Sequence, residues 1–222
     1  MRTLTTQLIC LALVVLAACY AVWLYPALPE LVPTHWNAAG KIDGWGPRST
    51  AAFTVPIMMV VFWVLMAVLP LVSPAKFKVE SFRGIWNIVV VLLLTMFAFI
   101  HVIMLQAALH PRVDVGRLLI AGICLFLAAL GLLMPQVKRN FWMGVRTPWT
   151  LASDEVWVAT HKLAGWTMGL GGLLGALLAL AGVPPMAAFS LIIAAALVPV
   201  GYSLWLYKRL EGEGKLRAND VQ

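Results

Sequence analysis

A chain of 222 residues that is 62% hydrophobic and only 11% charged, with a mean hydropathy of +0.92, is too apolar for an ordinary water-soluble domain. Its formal charge of +7 would suit a nucleic-acid partner, but the basic residues fall between apolar runs, where they act as a topology signal, and no direct nucleic-acid binding is expected. The composition leaves a protein of the lipid bilayer, and backbone groups that cannot go unpaired in lipid make helices the default form of its apolar runs.

The first uncharged run predicts a membrane span over residues 4–25. Leu16-Ala17-Ala18-Cys19 within it resembles a lipoprotein processing site, yet apolar sequence continues to Pro29 and only Arg2 marks a basic start. An uncleaved helix is therefore expected. Cys10, Cys19 and Cys124 all fall inside predicted spans, which argues against a disulfide framework.

A polar loop follows, Pro33-Thr34-His35-Trp36-Asn37-Ala38-Ala39-Gly40-Lys41-Ile42-Asp43-Gly44-Trp45-Gly46. Gly40 and Gly44 permit turn conformations and Pro33 stiffens the entry, so the loop should be compact. Its candidate functional residues are Pro33, His35, Asn37, Gly40, Asp43, Gly44 and Trp45. One reading joins His35 and Asp43 with His101 and His110 in a metal or proton site. The other has Asp43 and Asn37 bonding the loop backbone, and because no ligand pair has close helical spacing, no metal or cofactor is called for.

Two further spans are predicted over 51–73 and 85–107, the second carrying His101. An intramembrane histidine usually faces the protein interior and either has a role or makes an interhelical hydrogen bond. A fourth span is predicted over 118–135.

The segment from Asn140 to His161 is dense in polar and aromatic residues. Thr147-Pro148 should break any helix arriving from the fourth span. Ser153 is a good N-cap for a new helix, with Asp154 and Glu155 in its first turn and Trp157 and His161 four residues apart on one face. Two readings stay open. The segment is an interfacial elbow in which Arg146 bonds lipid phosphate or caps a helix end, or Arg146, Asp154 or Glu155, and His161 form a constellation that docks a partner or lines a cavity.

The last uncharged run, 163–207, is too long for one crossing, and Gly182-Val183-Pro184-Pro185 near its middle is a turn signal. It divides into spans over 161–181 and 186–207. Six spans result, with long connections only after the first and the fourth. That placement and the likeness of Gly44–Pro47–Thr50 to Gly144–Pro148–Thr150 fit an inverted repeat or a coincidence in a six-helix bundle. Twelve basic residues (Arg2, Lys76, Lys78, Arg83, Lys138, Arg139, Arg146, Lys162, Lys208, Arg209, Lys215, Arg217) lie on one side and four (Lys41, Arg48, Arg112, Arg117) on the other. The positive-inside rule then places both termini in the cytoplasm and the Pro33–Gly46 loop outside.

Asn140, Gly144, Arg146, Thr147, Pro148, Thr150, Leu151, Trp157, Thr160, His161 and Gly165 resemble the signature of the SdpI family of bacterial membrane proteins, with Val145 where isoleucine is common. The outer loop is similar to a domain of unknown function that often precedes that signature. The resemblance implies an all-α protein of the bacterial inner membrane, six transmembrane helices in a single bundle. It also implies the division 1–75 (N-terminal domain), 76–116 (connection with the third span), 117–207 (SdpI-type domain) and 208–222 (tail). It further implies immunity to a membrane-active peptide toxin outside the cell and, in one branch, signalling through a cytoplasmic transcriptional repressor. The rival reading is a small transporter or lipid-handling protein with a polar cavity around His101, Arg146 and His161. No catalytic signature is present, so no enzyme is expected, and the sequence is silent on oligomeric state.

Overall fold

A computed structural model describes residues 3–37, 40–74 and 79–216. Arg2, Lys76, Lys78 and Arg217, counted above for topology, lie outside the described residues, as do Ala75 and the last six residues of the tail. The chain is helical, with six helices long and apolar enough to cross a membrane. In order come α1 (Thr3–Leu24), β1 (Leu31–Trp36), β2 (Ile42–Pro47), α2 (Arg48–Val68), α3 (Arg83–Leu109), α4 (Val115–Leu133), a short α5 (Pro148–Ala152), α6 (Asp154–Leu180) and α7 (Pro185–Gly212). The expected bundle is present, and among the described residues the two strands are its one departure from an all-α fold.

Span limits agree with expectation to within a few residues except at two places. The fifth span begins at Asp154 rather than 161, and the sixth runs to Gly212 rather than 207. Both extensions are polar turns that a search for uncharged runs discards. The fourth span ends where expected, so no helix reaches Pro148 to be broken there. The helix of the fourth span gives way at Pro135, in a 3-10 turn over Met134–Gln136, well before Pro148, and Pro148 instead opens α5 at its first position, where no amide hydrogen is needed.

The helices pack as two groups of three, α1, α2 and α3 on one side and α4, α6 and α7 on the other, with α3 against α4 between them. Polar clips tie the first group. Trp63 Nε1 donates to Gln7 Oε1 (2.7 Å), Trp86 Nε1 to the Met66 carbonyl (3.1 Å) and Gln106 Nε2 to the Tyr20 hydroxyl (2.5 Å). The second group is held by close backbone approach. A Cβ on Gly172 would lie 2.5 Å from the Cys124 carbonyl oxygen, and one on Gly131 2.9 Å from the Gly169 nitrogen. Outward positions such as Val61, Leu132, Leu170 and Leu177 are exposed and apolar, a surface that hydrocarbon solvates and water does not.

The polar loop after α1 is a β-hairpin, where expectation had only a compact loop. Strands β1 and β2 pair antiparallel, Val32 opposite Gly46 and His35 opposite Gly44. Gly44 is required there, since a Cβ would fall 2.7 Å from His35 Cβ. Asn37 closes the turn, its Oδ1 accepting from the Lys41 amide at 3.1 Å, and Gly40 takes φ 74°. Gly40 rests on Gly116 at the start of α4. Proline in β1 and two glycines in β2 weaken the strand signal in the sequence, which is why the hairpin was not foreseen.

Candidate functional site

The two polar segments sit at opposite ends of the bundle. At the hairpin end His35 Nδ1 meets Asp43 Oδ1 at 2.5 Å, both side chains largely exposed. Asp43 pairs with the His35 side chain, and Asn37 bonds the loop backbone. Exposed ion pairs of this kind contribute at most about 1 kcal/mol. The larger feature of the hairpin is its apolar outer surface, Leu31 and Trp45 each 60% exposed and Ile42 42%. His101 lies elsewhere, fully buried in α3 with its ring edge toward Tyr20 of α1 at 6.4 Å between centroids. The backbone of Ala17 in α1 is the ring's nearest polar partner, the interhelical contact expected, but neither ring nitrogen makes a hydrogen bond of good geometry to it. Among the described residues no three His, Cys, Asp or Glu side chains come together as a metal site.

At the other end, residues 137–153 form an elbow whose parts follow from local chemistry. Asn140 is fully buried and its carboxamide is saturated. Its Nδ2 donates to the carbonyls of Lys138 (2.7 Å) and Met143 (3.1 Å), and its Oδ1 accepts from the amides of Trp142 (2.7 Å) and Met143 (2.9 Å). Arg146, exposed, donates to the Phe141 carbonyl and closes the same turn from outside. Thr147 and Thr150 form a capping box on α5, and the Thr150 hydroxyl donates to the Val145 carbonyl at 2.8 Å. Because Ser203 Oγ donates to the Val200 carbonyl, its oxygen accepts from the Thr147 hydroxyl at 3.1 Å. That bond fastens the elbow to α7.

Ser153 caps α6 as expected, accepting from the Val156 amide. One turn on, Trp157 Nε1 donates to the Val137 carbonyl at 2.8 Å and its ring stacks on His161, 4.0 Å between centroids and 18° between planes. His161 is buried, and its tautomer follows from its partners. The Val145 amide can only donate, so Nε2 accepts (3.1 Å), and the ring proton sits on Nδ1, donated to the Trp157 carbonyl at 2.8 Å. Gly144, at φ 108°, passes so close that a Cβ would overlap Nε2. Gly144 and His161, seventeen residues apart, are therefore one lock.

The proposed constellation of Arg146, Asp154 or Glu155, and His161 is not assembled as such. Arg146 turns to Phe141, Glu155 is exposed, and Asp154 pairs with Arg139, whose Nε lies 3.0 Å from Asp154 Oδ1 while Nη1 donates to the Leu151 carbonyl at 2.9 Å. Arg139 and Ser203 are the residues that sequence reasoning missed. Arg139 was counted only as a charge, although it adjoins Asn140, and Ser203 could have been noticed as a polar residue deep in an apolar run. A cleft of about 410 Å³ opens beside the lock, with Lys138, Arg139, Asp154 and His161 on its polar side and Pro135 and Val158 on its apolar side. Neither Arg146 nor His101 lines it, so the cavity imagined around His101, Arg146 and His161 is not this one.

Six apolar spans, with a hydrogen-bonded elbow at one end and an amphipathic hairpin at the other, define a multi-pass integral membrane protein. Its part from residue 136 to 203 matches the SdpI/YfhL protein family, and residues 12–60 match a domain of unknown function, DUF1648. The chain is thus a multi-pass membrane protein whose C-terminal part is similar to the SdpI/YfhL family, with a DUF1648-like segment ahead of it. It is 25% identical over 172 residues to the immunity protein SdpI of Bacillus subtilis (strain 168), an alignment that covers 78% of this chain and 80% of that protein. No solved structure matches it.

Proposed function

We propose that this protein protects the cell that makes it against a membrane-active peptide toxin, and that it does so without catalysis, as a binding element of the bacterial inner membrane. The observation that carries the reading is the Gly144–His161 lock, which fixes the signature segment as a rigid platform with Phe141, Arg146 and Glu155 on its exposed rim. Similarity to an immunity protein supplies the kind of activity. The hairpin end, with Trp45, Ile42 and Leu31 exposed at the level where α1 ends and α2 begins, is suited to meet a peptide that enters the outer leaflet. The platform at the elbow end is suited to a soluble cytoplasmic partner such as a transcriptional repressor.

The test is growth of cells with and without the protein, challenged with pore-forming peptides. Protection is expected with the natural chain and expected to be lost with His161→Ala, which removes the stack and both ring hydrogen bonds. Arg146→Ala should cut protection while leaving membrane levels unchanged, because its side chain lies at the surface. Full protection by Arg146→Ala at normal expression would remove the elbow rim from the functional account.

The twelve-to-four division of basic residues supports an orientation with the elbow in the cytoplasm and the hairpin outside. Reporter fusions at Arg139 and Arg48 should report cytoplasmic and external positions respectively. An external signal from Arg139 would reverse the whole assignment.

A further inference from the structure

The cleft beside the lock carries more positive charge than the fold uses. Arg139 is engaged with Asp154 and the Leu151 carbonyl, and the ring nitrogens of Trp157 and His161 are taken by Val137, Val145 and Trp157. The Lys138 ammonium, by contrast, has no hydrogen-bond or ion-pair partner among the described residues, and Lys138 is exposed on the cleft wall.

A second cation stands nearby. Lys162 is exposed on α6, in a stripe that runs from Val158, 49% exposed, to Trp166, 70% exposed, and it too lacks a partner among the described residues. Lys162 stands one helical turn beyond Val158, which lines the cleft, and a helical side chain tilts toward the helix start, the direction in which Val158 and the cleft lie. Against three cations the site sets one carboxylate, Asp154. The resulting excess of positive charge favours an anion, and Pro135 and Val158 give the same cleft an apolar side.

We propose that this cleft binds the phosphate of an anionic phospholipid of the leaflet it faces, with Lys138 and Lys162 as the two free contacts, Arg139 as the fixed one and the first acyl carbons along Val158. Phosphate chemistry fits because each lysine is a point cation that does not require bidentate geometry. Lipid is the proposed source because Pro135, Val137 and Val158 line the cleft beside its cations, an apolar wall that acyl carbons can cover and a free phosphate cannot. The site is distinct from the elbow rim and does not depend on toxin protection.

The experiment is a titration of the purified full chain in a non-ionic detergent with phosphatidylglycerol, with phosphatidylcholine, and with inorganic phosphate, followed by thermal melting of tryptophan fluorescence. Phosphatidylglycerol is expected to raise the melting temperature saturably and more strongly than phosphatidylcholine, with an effect that weakens in salt. Lys138→Gln with Lys162→Gln should weaken the apparent affinity about thirtyfold. That variant should melt like the natural protein without lipid, and the paired lysine-to-arginine variant should keep the affinity. Equal affinity in the glutamine variant, or no preference for phosphatidylglycerol over phosphatidylcholine, would overturn the proposal. Saturation by inorganic phosphate at the same concentration would overturn the assignment to lipid.

Discussion

Asn140→Ala is expected to unfold the elbow and cost about 2–4 kcal/mol, because it strands two backbone amides and two carbonyls in a position where the side chain is fully buried. The loss should exceed that of an ordinary surface substitution severalfold. Asn140→Asp separates geometry from volume. It keeps the shape and both acceptor bonds but turns the two donor bonds into contacts between a carboxylate and the Lys138 and Met143 carbonyls, so it should be as damaging as alanine. The measurement is the melting temperature in detergent together with the rate of proteolysis within residues 137–153. Natural melting behaviour in Asn140→Asp would mean that the carboxamide does not hold the loop. With the elbow loosened, Val145 no longer presents its amide to His161, so protection should fall along with stability.

Gly172→Leu is expected to have the larger effect, loss of the α4–α6 seam and with it of the folded protein. A Cβ there would already lie 2.5 Å from the Cys124 carbonyl oxygen and 2.7 Å from Ala128 Cβ, so accommodation requires the helix backbones to part. Overpacking of a core costs about 1–3 kcal/mol where side chains can shift, and more where, as here, backbone blocks the way. Separation of α4 from α6 would also forfeit the close dispersion contacts that hold membrane helices together in the absence of a hydrophobic drive. The readout is the yield of monodisperse protein after extraction. Gly201→Leu in α7, where a Cβ meets nothing within 4 Å, is the control and should behave like the natural chain.

The amino-acid sequence by itself determined the class of the molecule. Uncharged runs of about 20 residues or more admit one solution in hydrocarbon, and each predicted span corresponds to a helix because the constraint acts locally on every backbone group. Local chemistry also disclosed the Ser153 cap, the turn at Gly182 and the pairing of Trp157 with His161, all contacts within one or two turns. The cap placed the start of α6 at Asp154, whereas the count of uncharged residues began the span only at His161, since that first turn is held by its cap rather than by lipid.

Only the tertiary structure decided what the signature residues do. Asn140 and Thr147 stand in the sequence as signature residues without a role until the fold buries them, and whether a polar side chain is a ligand or a brace depends on which groups converge on it. The opening for Gly144 under His161, the fastening of Thr147 to Ser203 fifty-six residues away, and the diversion of Asp154 to Arg139 are long-range geometry with no local period to betray them. Strand pairing in the hairpin belongs with these, because its register is set by Gly44 facing His35 across the strands and not by the propensity of either.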